Sequence, residues 1–516
     1  MCRWLKRESK PQREREVVDV MLAETEAMTI IIHVFIGAVV HAPHGFRAPL
    51  EVLEMAGVCV REDTGEIVHV MKRVTTEEEK NEMRKLVREK MEMTKLRFEE
   101  TQIAAGRIII PGFVDVHVHA PQFRYTGTAT DLPLLEWLDH YTFPSERELG
   151  SSAALARHVY SRCVRRLLRC GTTTAVYFAT IDTRATKVLA EEVMCQGQRA
   201  VIGKVAMDRC APSGYVETTK EALDGTRELI EWFRAQPSMM PRVSFAITPR
   251  FVPTCTPELL AGLGRLAAEF GDEVMVQSHI SESDDMVSFV EHLHPETGRD
   301  TALFNDCGLL RHRSIFAHGT HLTPAELEIL GTKNASIAHC PYSNFMFADR
   351  EFHLKRAIDC GVRVGLGTDI AGGVSPMMLQ AMRAAVLTSK AVAHAERSRL
   401  RQQAEQSDAV AVALSEDHAI SFADAFWLGT AGGAAAIGKE DEIGYFDTGM
   451  QFDALIVDCS DTNPVFDVFP DTDTLLDRFQ KFINLGEQAS IERVFVSGKP
   501  CLEVRSPADV QEKIER

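Results

Sequence analysis

The sequence predicts an α/β protein: a (β/α)8 barrel of the TIM type, with a small β-sandwich assembled from both chain ends. Three observations carry that prediction. Eight short β-branched runs alternate with longer amphipathic segments through the middle of the chain, the pattern of repeated strand-helix units around a parallel sheet. Both flanks show short alternating β patterns with turn residues instead, for example VFVSGKP ending at Pro500. The 516 residues exceed the roughly 250 that one barrel needs, leaving room for a companion domain.

The elements follow in chain order. Residues 1–27 are predicted to be a disordered extension, because positions 1–26 hold six basic and six acidic side chains with no apolar region or small-residue cleavage site typical of a targeting signal. Residues 28–106 form the first part of the sandwich, with β patterning from Thr29 to Val70. The charged stretch from Thr75 to Glu100 has Met and Leu at helical spacing and reads as a surface helix within it. The barrel covers 107–439, with strands at Arg107 to His119, Thr173 to Phe178, Ala200 to Met207, Val243 to Thr248, Glu273 to His279, Ser314 to His318, Ala335 to His339 and Arg363 to Asp369. Helices such as Ala153 to Arg169, Lys220 to Ala235 and Pro257 to Phe270 connect them. Residues 440–505 complete the sandwich and 506–516 form a tail.

Composition narrows the function class. The chain has 45% hydrophobic and 25% charged residues, as ordinary globular proteins do, which excludes collagen and disulfide scaffolds. A balance of 57 Lys+Arg against 74 Asp+Glu leaves a charge of -17, which repels nucleic acid and anionic membrane surfaces. The apolar run from Met28 to Ala42 contains His33 and His41 and is too short to span a bilayer, which takes about 20 residues. Twelve cysteines without a C-x-x-C pair suit reduced thiols in the cytoplasm.

The chemistry lies at the strand ends. The first strand finishes in PGFVDVHVHA, so His117 and His119 stand two residues apart and point to one side of an extended backbone. Alone, such a pair also fits two half-buried histidines on a strand face. The fifth strand ends in VQSHISE, the sixth in FAHGTHL and the eighth in GLGTDIAGG. In a barrel these ends converge on one mouth, so His117, His119, His279, His318 and Asp369 meet in space. Three imidazoles and a carboxylate suit zinc or iron with a position left for water.

The motifs PGFVDVHVHAPQ, DLPLLEWLDHYTFPSE, GKVAMD, TPRF, QSHISE, IAHCPYSN and GLGTDIAGG together resemble the amidohydrolase superfamily in its single-metal branch. Over residues 28–504 they are similar to the guanine deaminase family. The resemblance implies a cytoplasmic homodimer that hydrolyses guanine to xanthine and ammonia in purine catabolism or salvage. It implies one divalent ion, zinc before iron, held by His117, His119, His279 and Asp369. It also implies a proton-shuttle role for Glu282 and substrate contacts by Gln122, Arg250 and Phe251; beside these, His119, His279, Glu282 and Asp369 are expected at the substrate, and His318 and Asp369 in catalysis.

Physical reasoning supports these roles. A divalent cation can bring the pKa of water down to about 7. Asp369 is then placed to accept its proton, and Glu282 to protonate the ring nitrogen beside the attacked carbon and later the departing ammonia. His318 has three open roles: a fifth ligand, an electrostatic partner of the reacting centre, or a structural imidazole. His339 fits a supporting contact or the core equally well. The fourth strand carries Arg250 where two-metal relatives carry a bridging lysine, and Lys204 belongs to the third strand, so one metal is expected.

Arg250 also bears on the substrate. Its guanidinium has only donors and matches a carbonyl beside a ring nitrogen, whereas adenine presents an amino donor there. Gln122 offers a donor and an acceptor to another edge, and Phe251 a cover for the ring. Rival readings are a related amidohydrolase acting on a pterin, triazine or cytosine, and a barrel scaffold that has lost activity. The cytidine deaminase type of zinc site is excluded, since HAE at His394 to Glu396 has no C-x-x-C after it.

Overall fold

The computed structural model describes residues 29–92, 95–236, 242–348, 350–404 and 419–503. The predicted N-terminal extension and the tail lie outside the described residues. The first five strands are β1 (Ile30–His41), β2 (Glu51–Arg61), β3 (Ile67–Met71), β4 (Leu96–Gln102) and β5 (Arg107–Pro111). Strand β1 organises the small domain. One edge pairs antiparallel with β2, while the other pairs parallel with β4 from Ile30 to Ile36 and then with β5 at Ala38 and Val39.

Alternation along β1 gives the sheet two apolar faces. Ile32, Val34 and Ile36 pack with Cys59 against Met83 and Val87 of the helix Glu77–Met91. Phe35, on the opposite face, stacks on Phe452 at 4.7 Å and meets Phe495 edge-on at 5.3 Å. The helix is shorter than the sequence suggests. A capping box of Thr76 and Glu79 starts it, Glu92 ends it in a left-handed conformation, and Leu96 to Glu100 of the charged stretch belong to β4.

The barrel consists of β6 (Phe113–His119), β7 (Thr172–Phe178), β8 (Arg199–Gly203), the short β9 (Val205–Ala206), β10 (Val243–Pro249), β11 (Met275–Ile280), β12 (Ser314–His318), β13 (Ser336–His339) and β14 (Arg363–Leu366). All pairings are parallel, in the order β14-β13-β12-β11-β10-β8-β7-β6 with β9 beside β10. Every residue of β6, β7 and β11 is buried, as expected where helices cover a parallel sheet. Closure comes from beyond the ladder. Asp369 N–H donates to His117 O and His119 N–H to Ile370 O, each at 2.9 Å, so the bonds that close the barrel run through candidate site residues.

The last strands, β15 (Ala454–Asp458), β16 (Ile491–Val496) and β17 (Lys499–Glu503), return to the first sheet through antiparallel pairing of β15 with β5. The small domain built from both ends is therefore one hydrogen-bonded sheet of eight strands. The strand expected from Arg107 to His119 is two strands in different sheets. They part at Gly112, where any side chain would put a Cβ 2.1 Å from Thr173 Oγ1. Gly112 N–H donates instead to Asp453 O at 2.9 Å. No helix among the described residues is long and apolar enough to cross a membrane.

A buried ion pair joins the two sheets. Arg199, at the start of β8, donates from Nε and Nη2 to the Asp453 carboxylate at 2.9 and 3.2 Å, and both groups are almost wholly buried. Asp453 also accepts Ser497 N–H at 2.7 Å. Removing one partner of such a pair strands the other charge. Arg199→Ala is expected to lower the free energy of urea unfolding by about 3–5 kcal/mol. A loss below about 1 kcal/mol, within the range of surface substitutions, would show that this pair does not hold the domains together.

Candidate active site

The barrel places the chemistry where its strands run out. His117 and His119 end β6, His279 lies near the end of β11, His318 ends β12, and Asp369 follows β14. His119 Nε2 and His279 Nε2 are 3.1 Å apart. Asp369 Oδ1 lies 3.1 Å from His117 Nε2 and 3.5 Å from His119 Nε2. His117, His119 and His279 form one group able to hold a metal ion, and His117, His318 and Asp369 an overlapping one. His318 Nε2 faces two carboxylates, Glu282 Oε1 at 3.5 Å and Asp369 Oδ2 at 3.9 Å.

Backbone geometry shapes the cluster. His318 and Asp369 both have left-handed φ values, 73° and 48°, a region that residues with a side chain adopt uncommonly and that His and Asp tolerate better than most. The bonds from Asp369 N–H to His117 O, and from Gly319 N–H to Ile280 O at 3.0 Å, hold these turns. Gly367 lets the eighth strand approach the first, since a Cβ there would sit 2.8 Å from His117 Cβ.

The donor chemistry fits a cation. His279 Nδ1 lies 2.6 Å from Arg250 O; donating its proton there leaves the Nε2 lone pair directed into the cluster. His119 Nε2 lies 3.1 Å from that Nε2, and His119 Nδ1 and His117 Nε2 are buried without hydrogen-bond partners. Burial, with the neighbouring imidazoles, holds His119 and His279 well below the usual histidine range, which keeps them neutral and able to ligate. Burial alone would raise Asp369, but His117, His318 and His119 outweigh it and hold its carboxyl well below the carboxylate range. Glu282 goes the other way: burial, with Asp369 adding to it, raises its pKa against the opposing pull of His318.

Above the cluster opens a cavity bordered by His119, Gln122, Arg250, Phe251, His279, Glu282, His318 and Asp369. His117 lies beneath it. Leu134, Leu135, Trp137 and Leu138 of the segment DLPLLEWL form an apolar wall with Phe347 and Met286. A few polar groups converging in an otherwise apolar cleft are typical of a small-molecule site. Every residue singled out from the sequence is thus brought to one place. Lys204 is not. It is buried in a pair with Glu217, both carboxylate oxygens at 2.8 Å.

Several site residues escaped the sequence reading. Asp115 accepts Thr368 N–H at 2.9 Å and Thr368 Oγ1–H at 2.5 Å, tying β6 to the Asp369 turn. Burial pushes its carboxyl up to about 7 despite these bonds. Asn344 Oδ1 lies 3.0 Å from His318 Nδ1 and orients that ring. Glu146 grips Arg250, with Nη1 at 2.7 Å and Nη2 at 3.2 Å. The guanidinium fork expected to be free for a ligand is therefore partly engaged, leaving three of its five N–H groups. His339 packs on Phe352 at 5.2 Å, and burial takes its pKa down to about 3, so it is a neutral ring of the barrel interior.

Comparison with known proteins agrees with this architecture. A family model described as "Amidohydrolase family" matches residues 108–501. A guanine deaminase of Dictyostelium discoideum is 39% identical over 401 residues, covering 78% of this chain and 84% of that protein. One from Mus musculus is 36% identical over 472 residues, 90% of this chain and 96% of the relative. The crystal structure of guanine deaminase from C. acetobutylicum with bound guanine in the active site superposes with a TM-score of 0.76 at 27% identity, over 91% of this chain and 99% of that one. A match spanning most of the sequence, on a barrel whose strand ends gather histidines and an aspartate, shows that the chain belongs to the amidohydrolase family.

Proposed function

We infer that this chain hydrolyses guanine to xanthine and ammonia, in purine catabolism or salvage. One observation carries the reading: a cluster suited to a single metal ion lies under a cavity walled by Gln122, Arg250 and Phe251, in a chain whose most similar relatives include guanine deaminases. His117, His119, His279 and Asp369 would hold the ion, and three imidazoles with a carboxylate suit zinc. A divalent cation there supplies Lewis acidity that brings the pKa of water to about 7. Lys204, committed to Glu217, is unavailable to bridge a second ion.

The chain's own groups account for binding and proton traffic. Arg250 and Gln122 donate to acceptors on the base, while Phe251 and the Leu134–Leu138 wall cover its faces. Water oxygen bonds to the amino-bearing ring carbon. Its first proton passes through Glu282 to the adjacent ring nitrogen; its second moves from the new hydroxyl to the amine, the C–N bond breaks, and ammonia leaves. The raised pKa of Glu282 suits this relay, since an acid-base group works best near the operating pH. Asp369, held low, is the weaker base and serves as an anionic acceptor that orients the water. His318, oriented by Asn344, stabilises charge on the new oxygen. A homodimer in the cytoplasm accompanies this reading, and the described cysteines are all free thiols, which suits a reducing compartment.

Glu282→Gln is expected to keep its metal while guanine turnover falls at least about 100-fold, as loss of a positioned acid-base group does. Near-normal turnover would require another proton carrier. Chelation is expected to abolish activity and lower the thermal midpoint by several degrees, because a ligand bound only by the folded state stabilises it. Zinc should restore both, and activity unchanged after complete metal removal would overturn the metal-dependent reading.

A further inference from the structure

One buried carboxylate sets the hydrogen-bonding character of the cavity wall. Glu146 lies on the helix Phe143–Ser151 and is fully buried. Four donors reach it. Arg250 gives two, Tyr215 O–H donates at 2.6 Å, and Gln122 Nε2 approaches at 3.5 Å. A carboxylate is acceptor-only with about four lone-pair sites, so Glu146 is saturated. It does not border the cavity, whereas Arg250 and Gln122 do.

The consequence is directional. With Gln122 Oε1 taken by Ala371 N–H at 3.3 Å and Nε2 drawn toward Glu146, the side-chain amide has one orientation, and its remaining hydrogen is what it can offer a ligand. Arg250 is held from two sides, by the Glu146 fork and by the Phe143 ring, which its Cζ overlies at 5.0 Å. Phe143 and Glu146 stand three residues apart on one helix face, so a single element sets the plane of the guanidinium. Tyr215 arrives on the loop anchored by the Lys204–Glu217 pair. The part of the wall formed by Arg250 and Gln122 therefore meets the ligand with donors.

We propose that Glu146 is the specificity-determining positioning residue of this site: by holding Arg250 and Gln122 with donors toward the ligand, it selects a purine edge carrying a carbonyl and a ring-nitrogen acceptor over one carrying an amino group. The proposal rests on the deaminase reading and deepens it. An amino-bearing edge would bring donor against donor in a buried wall, a mismatch that costs far more than a lost contact.

The probe is 2,6-diaminopurine, which keeps the amino group at the reacting carbon and replaces the carbonyl of guanine by a second amino group. The wild-type enzyme is expected to favour guanine over it by at least about 100-fold in kcat/KM. In Glu146→Gln that ratio should fall at least about tenfold, through a raised KM for guanine, with kcat within about threefold and metal content unchanged. Glu146→Asp, which keeps the acceptor, should lie closer to wild type. Should Glu146→Gln fail to fold, Tyr215→Phe should give a smaller rise in the guanine KM with the same sign. An unchanged ratio, or an equal fall of kcat for both purines, would overturn the proposal. Absence of guanine turnover by the wild-type, metal-loaded protein would instead overturn the deaminase reading.

Discussion

The convergence of imidazole lone pairs and a carboxylate on one buried point is the constraint on which the rest of the structure depends. His119 and His279 bring nitrogen atoms within 3.1 Å of each other, and Asp369 places an oxygen 3.1 Å from His117. Gathering such groups away from water is unfavourable unless a positive charge lies among them. A divalent cation supplies that charge, and the fold keeps the donors in register for it. The same hydrogen bonds that close the barrel between β6 and the end of β14 also set the positions of His117 and Asp369. Barrel closure and site geometry rest on the same hydrogen bonds.

Two carboxylates near this point face opposite demands. Asp369 is surrounded by imidazoles and stays ionised, while Glu282 is buried beside Asp369, and His318 and Arg250 do not fully offset that burial. In the proposed mechanism environment divides their labour, one holding and orienting, the other carrying protons. A third carboxylate, Glu146, lies behind the wall and acts on the ligand through Arg250 and Gln122.

Much of this was legible in the sequence. The H-x-H at His117 and His119, and the histidines and aspartate at later strand ends, carry their meaning in local pattern, because a parallel barrel brings all its strand ends to one mouth. The partners of these residues were not legible. Arg250 and Glu146 are 104 positions apart, and nothing near Glu146 in the sequence marks it as buried. Asn344 and Asp115 lay inside quoted motifs, yet their roles come from contacts with His318 and Thr368 across the barrel. The split between β5 and β6 was hidden for another reason. The apolar run is continuous, and only the close approach of Gly112 to Thr173 passes the chain from one sheet to the other.

The central claim is that the metal cluster serves a cavity built for guanine. Ammonia release by the zinc-loaded protein, measured as kcat/KM for guanine, adenine, cytosine and a pterin, tests it most directly. The account predicts that guanine exceeds each of the others by at least about 100-fold, the discrimination available when a buried polar wall is left unpaired. Adenine or cytosine turned over well above guanine would contradict it.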